Sequence, residues 1–182
     1  MCRRLAAEQL IHRDEAFRPI VNRSTGAAPT AVSRPVVAAY QEEWFWEGKV
    51  VGLFVQHLGR IGAFVRSVAD TATKVRGTDI VATLDGRTVY IEVKGWPSTQ
   101  YADPARAHEQ KRTNPSVQAK HWMAEAVFSA LRLRAKHDDD RVVVAFPAFP
   151  RYENLADEVA PVLARAGIEM WFVGEDGEVS RR

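Results

Sequence analysis

The stretch Gly77-Thr-Asp79-Ile-Val-Ala-Thr-Leu-Asp85-Gly86-Arg-Thr-Val-Tyr-Ile-Glu92-Val-Lys94-Gly95 decides the reading of the whole chain. Asp85-Gly86 between two alternating apolar runs is a strong signal for a two-residue hairpin turn. With that turn, Leu84 pairs with Arg87, Ala82 with Val89, Ile80 with Ile91 and Thr78 with Val93. Side chains alternate along a strand, so these pairs share one face, and that face is apolar. The opposite face then carries Asp79 directly across from Glu92, with Lys94 two residues further on and Gly77 leaving room beside it. Opposed side chains have Cβ atoms about 5 Å apart, where like charges destabilise. Two carboxylates so placed call for a proton or a cation between them. Magnesium suits the position, because it takes one or two carboxylates and keeps waters and substrate phosphates as its other ligands. A bound metal acidifies water, and a neighbouring ammonium can orient the nucleophile or balance developing charge. One face of the hairpin therefore holds the parts needed for phosphodiester hydrolysis.

The elements around the hairpin extend this reading. A helix is expected from Val36 or Gln41 to Leu58, with Val51, Phe54 and Leu58 at helical spacing and Gly59 as its stop. Strands are expected over Ile61–Val68, Val75–Leu84 and Arg87–Gly95. A polar segment with three prolines follows, then a long helix over Val117–Lys136 with Ser116 as its cap. Arg141–Phe146 reads as a strand buried on both faces. A helix over Asn154–Ala166, ending at Gly167, and a last strand over Ile168–Val173 complete the order. The expected fold is α/β: a mixed central sheet flanked by helices, with an αβββαβ core and an additional C-terminal αβ unit. Residues 1–35 read as an N-terminal arm, rich in Ser, Thr, Ala, Gly and Pro over its second half, and residues 36–182 as the folded domain.

Asp79 followed after a hairpin by Glu92-Val-Lys94, within that element order, resembles the Asp…(Asp/Glu)-x-Lys signature of the PD-(D/E)XK nucleases. The chain has Gly-Thr-Asp where the name-giving pattern has Pro-Asp, a form found in several branches of the superfamily. The resemblance implies a restriction-endonuclease-like fold and metal-dependent cleavage of nucleic acid. It makes Asp79 and Glu92 metal ligands, the Val93 carbonyl a third ligand and Lys94 the catalytic lysine. It further implies Mg²⁺ as cofactor, with Mn²⁺ able to substitute. Many members add an acid from the first core helix; Glu47, four residues before Val51 and seven before Phe54, lies on the apolar side of that helix and fits the role, with Glu43 as the fallback. Related branches place a glutamine at the start of the following helix, which matches Gln118.

Composition bounds the partners. The 182 residues carry 25 Lys and Arg against 23 Asp and Glu, a net charge of +2 that neither requires nor excludes a polyanion. Locally the balance shifts: residues 104–136 hold seven bases against Glu109 and Glu125. Arg106, Lys111, Arg112 and Lys120 are the candidate contacts to nucleic-acid phosphates, whereas Arg132, Arg134 and Lys136 fit equally a cluster that eases the negative end of a helix. The implied partner is nucleic acid, DNA ahead of RNA, and a homodimer is compatible with the family. The single cysteine, Cys2, excludes an internal disulfide. The apolar stretches are too short to span a bilayer, and the N-terminus lacks the apolar run of a signal peptide, so a cytoplasmic protein without membrane contact is expected. A nuclease-fold subunit that binds nucleic acid without cleaving it is the alternative.

Overall fold

In the computed structural model, residues 39–70, 77–101, 103–106 and 108–182 are described. The arm expected over residues 1–35 lies outside them. After a 3₁₀ turn at Ala39–Gln41, the order is α1 (Glu47–Arg60), β1 (Phe64–Val68), β2 (Ile80–Leu84), β3 (Arg87–Val93), α2 (Pro115–Lys136), β4 (Arg141–Pro147), α3 (Pro150–Arg165), β5 (Ile168–Val173) and β6 (Val179–Arg181). The six strands form one mixed sheet in sequential order. β1, β2 and β3 are antiparallel neighbours, β3, β4 and β5 run parallel, and β6 returns antiparallel. The expected α/β class and element order both form.

The hairpin register is the one the turn dictates. Leu84 pairs with Arg87, Ala82 with Val89 and Ile80 with Ile91. Asp85 and Gly86 both take positive φ, 52° and 75°, the pair of left-handed residues that a turn matching the strand twist requires. Ile80, Ala82, Leu84, Val89, Ile91 and Val93 are buried beneath α1, packing on Val50, Val51, Phe54 and Leu58. The other face of the sheet is covered by α2 and α3, through Ala119, Met123, Ala126 and Ala130 and through Tyr152, Leu155 and Leu163. Alanines on the buried side of α2 let that long helix lie close to the sheet. β4 sits at the centre, and Val142–Phe146 are fully buried, as a parallel strand covered on both faces must be.

Several bounds differ from expectation: β1 begins at Phe64 and not Ile61, β2 at Ile80 and not Val75, and α3 one turn early, at Pro150, where a proline suits the first helical position. α1 begins at Glu47, because Trp46 is extended (φ −61°, ψ 135°) and its carbonyl accepts the Lys49 and Val50 amides. The preceding aromatic residues are held by tertiary contacts instead, Trp44 stacking on Phe149 and Phe45 meeting the same ring edge-on. The N-cap of α2 is Asn114, whose side chain accepts from the Ser116 amide at 2.8 Å, so Ser116 lies inside the helix. β6 is an additional edge strand, three residues long, too short for its alternation to stand out in the sequence.

Candidate active site

The cleft forms where β2 begins and β3 ends. Continued by two more pairs, the hairpin would set Asp79 against Glu92 and Thr78 against Val93, but β2 starts only at Ile80, so neither pair joins the ladder. Asp79 fills the gap with its side chain: its Oδ2 accepts the Val93 amide at 2.7 Å, while its backbone carbonyl takes the Ala69 amide. In an extended strand the N–H and C=O of one residue point to the same side, so the Val93 carbonyl faces the edge where Asp79 lies. Glu92 is next in the strand and is buried. Its Oε1 stands 3.3 Å from the Lys94 ammonium, which is itself 15% exposed. The Lys94 amide bonds to Ala145 of β4, fixing the strand end against the sheet's centre.

Glu47 arrives from the opposite layer through a close approach. A Cβ on Gly95 would fall 2.6 Å from the Glu47 nitrogen and 2.7 Å from the Phe45 carbonyl oxygen. Only glycine lets the start of α1 lie against the strand end. The Gly95 backbone also hydrogen-bonds the Glu47 carboxylate, and its carbonyl accepts the buried Tyr152 hydroxyl at 3.0 Å. Gly95 is thereby the joint between α1, β3 and α3. The Trp96 amide completes the joint on the Phe45 carbonyl at 2.9 Å.

Glu47, Asp79, Glu92 and Lys94 line one cleft of about 920 Å³, together with Gly77 and Thr78 and with Glu125, Ser129, Arg132 and Lys136 of α2. Electrostatics within it are strained. Burial, reinforced by the Asp79 charge, pushes the Glu92 carboxyl up to about 7, against the opposing pull of Lys94. Burial also raises Asp79, although the Val93 hydrogen bond and Lys94 work the other way. Glu47 is raised chiefly by burial as well, with Asp79 and Glu125 adding to it. For Lys94, burial alone would favour the neutral amine, but the surrounding Glu47, Glu92, Asp79 and Glu125 outweigh it and raise its pKa. Lys94 stays charged, and the carboxylates together exceed what one ammonium can balance.

A cation in the cleft would offset that surplus. Asp79 keeps Oδ1 and Glu92 keeps Oε2 outside the hydrogen bond and ion pair just described. Two carboxylates and a strand-edge carbonyl suit a hard ion that retains several waters. Among the described residues, no group of three or more His, Cys, Asp or Glu side chains is set at metal-binding distances. Asp79 and Glu92 are the residues that could hold such an ion.

The remaining expected site residues fall elsewhere. Gln118 is on the same face of α2 as Glu125, seven residues earlier, and does not line the cleft. Glu43 is exposed, ahead of α1. Arg106 is held by Glu109 at 2.8 Å and lies over the Tyr101 ring. Lys111, Arg112 and Lys120 are also outside the lining. The cleft bases are instead Arg132 and Lys136, and Glu125, which enters the sequence analysis only through the charge balance, lines it as well. Its signal was present: Glu125 follows Gln118 by two helical turns.

No protein-family model matches the sequence, and no curated protein matches it. Among solved structures, SfsA of Pyrococcus furiosus in complex with Ca²⁺ is similar at 19% identity and a TM-score of 0.33, over 71% of this chain. The chain spans 58% of the length of that one. The likeness is distant. No helix among the described residues is long and apolar enough to cross a membrane.

Proposed function

We propose that this chain is a metal-dependent nuclease of the PD-(D/E)XK type, hydrolysing phosphodiester bonds of nucleic acid, DNA ahead of RNA. The observation that carries the reading is the meeting of Asp79 and Glu92 beside Lys94 at the end of one hairpin, inside a cleft. Held by Asp79, Glu92 and the Val93 carbonyl, magnesium, or manganese in its place, would polarise the phosphate and acidify a bound water.

The chain's own groups supply the rest. Lys94, fixed by its ion pair with Glu92, sets a positive charge where negative charge gathers on the phosphate oxygens. Glu47 has a raised pKa and lines the same cleft, which suits it to take the proton released as water attacks phosphorus and the bridging P–O bond breaks. Gly77 lines the same cleft without a side chain.

The test is cleavage of labelled single- and double-stranded DNA by the purified chain in manganese, magnesium and EDTA. Cleavage is expected with either metal and not with EDTA. Lys94→Ala is expected to slow it by at least about a hundredfold, the scale of losing one preorganised charge-stabilising donor. Undiminished cleavage by that variant would remove the mechanism.

A further inference from the structure

The cleft continues past the acidic centre along α2. Arg132 and Lys136 line it one helical turn apart, on the same face as Glu125. At 1.5 Å per residue they stand about 10 Å and about 16 Å along the axis from Glu125. Their position in the last turns of α2 could serve merely to ease the helix's negative end. Arg134, lying between them in sequence, already does this: it donates to the Asp140 carbonyl at 2.6 Å and to the His137 carbonyl. Arg132 and Lys136 take no ion-pair or hydrogen-bond partner among the described residues, in contrast to Arg106, Arg141 and Arg182, which are each tied to a carboxylate. Phe128 stands beside them on α2. It is 63% exposed, one turn from both Glu125 and Arg132, at the rim of the same face.

We infer that this side of α2 is a track for single-stranded nucleic acid, with Arg132 and Lys136 on successive phosphates and a base stacked on Phe128. A duplex buries its base faces, whereas an unpaired strand offers them to an exposed ring. The inference rests on the hydrolysis reading for the identity of the ligand and deepens it by naming the strand's path.

The experiment measures binding of a fluorescently labelled 20-nucleotide single strand to the full chain in EDTA, by anisotropy, across a salt series. Leaving out metal separates the two readings. A chain that binds but never cleaves keeps the track and loses the hydrolysis. A chain that cleaves, but whose doubly substituted form binds as wild type does, keeps the hydrolysis and loses the track. Each phosphate contact to a single strand contributes about 0.7 to the slope of log K against log salt. Arg132→Ala/Lys136→Ala is therefore expected to flatten that slope by about 1.4. Arg165→Ala, which removes an exposed charge on α3, should leave it unchanged. Phe128→Ala is expected to weaken binding by about 5- to 150-fold at an unaltered slope. An unchanged slope in the double variant would overturn the track, as would tighter binding of duplex than of single strand, or no binding by the wild-type chain. If Phe128→Ala instead converts a dimer to a monomer in sedimentation, the ring serves self-association and the stacking is overturned.

Discussion

The Val93 amide donates to the Asp79 carboxylate across 2.7 Å, where β2 has yet to begin and no ladder partner stands opposite. One acid thereby replaces a missing backbone acceptor while its other oxygen stays outside that bond. Asp79→Asn separates the two roles, because an asparagine oxygen can still accept from Val93. The variant is expected to fold with unchanged thermal stability or better, since it relieves repulsion on Glu92. Magnesium affinity should fall by at least about tenfold, read by calorimetry.

Glu92 makes stability depend on pH. Its carboxyl titrates near 7 in the fold against an ordinary value of 4.5, so the folded state holds the proton more tightly than the unfolded chain does. The resulting stabilisation is complete below about pH 4.5 and is lost as pH rises through 7. It amounts at most to about 3 kcal/mol. Urea midpoints of the metal-free chain should fall between pH 5 and 8, and Glu92→Gln should remove most of that dependence. Midpoints that rise over this interval would show that Glu92 is not the buried, repelled acid described.

Gly95 has no room for a side chain, with the Glu47 nitrogen 2.6 Å and the Phe45 oxygen 2.7 Å from a would-be Cβ. Gly95→Ala must move the start of α1 away from the strand, at a cost of about 1–3 kcal/mol. Because Glu47 travels with that helix end, activity should fall further than stability explains, at temperatures where the variant is fully folded. A variant that loses stability but keeps the wild-type rate would free Glu47 from any role.

Tyr152→Phe tests the other arm of the same joint. The hydroxyl is buried and donates to the Gly95 carbonyl at 3.0 Å. Its removal leaves an acceptor short of a partner and should cost about 1–2 kcal/mol in urea denaturation. An unchanged midpoint would mean that another donor takes that carbonyl.

The hairpin was legible in the sequence because its information is local: Asp85-Gly86 sets the turn, the turn sets the register, and the register brings Asp79 and Glu92 to the same end of the ribbon, although Asp79 lies just outside the ladder. Central burial of β4 was legible for a similar reason, an unbroken apolar run. What escaped depends on contacts between distant segments. Nothing local tells that Trp44 and Phe45 will pack on Phe149 and delay the start of α1. Gly95 reads as a strand's end until Phe45 and Glu47 are seen resting on it. On α2, the sequence marks a face but not how far along it the cleft extends, so it points to Gln118 and the loop bases, whereas Glu125, Arg132 and Lys136 line the cleft.

The central claim is that the buried Glu92 and the half-buried Asp79 are held together for a cation. Isothermal titration of magnesium or manganese into the metal-free chain at pH 7, in buffers of different ionisation enthalpy, tests it most directly. One ion per chain is expected to bind with release of a fraction of a proton, because Glu92, titrating near 7, must shed its proton to become a ligand. Both binding and release should disappear in Glu92→Gln. No binding at millimolar metal, or binding untouched by that substitution, would contradict the claim.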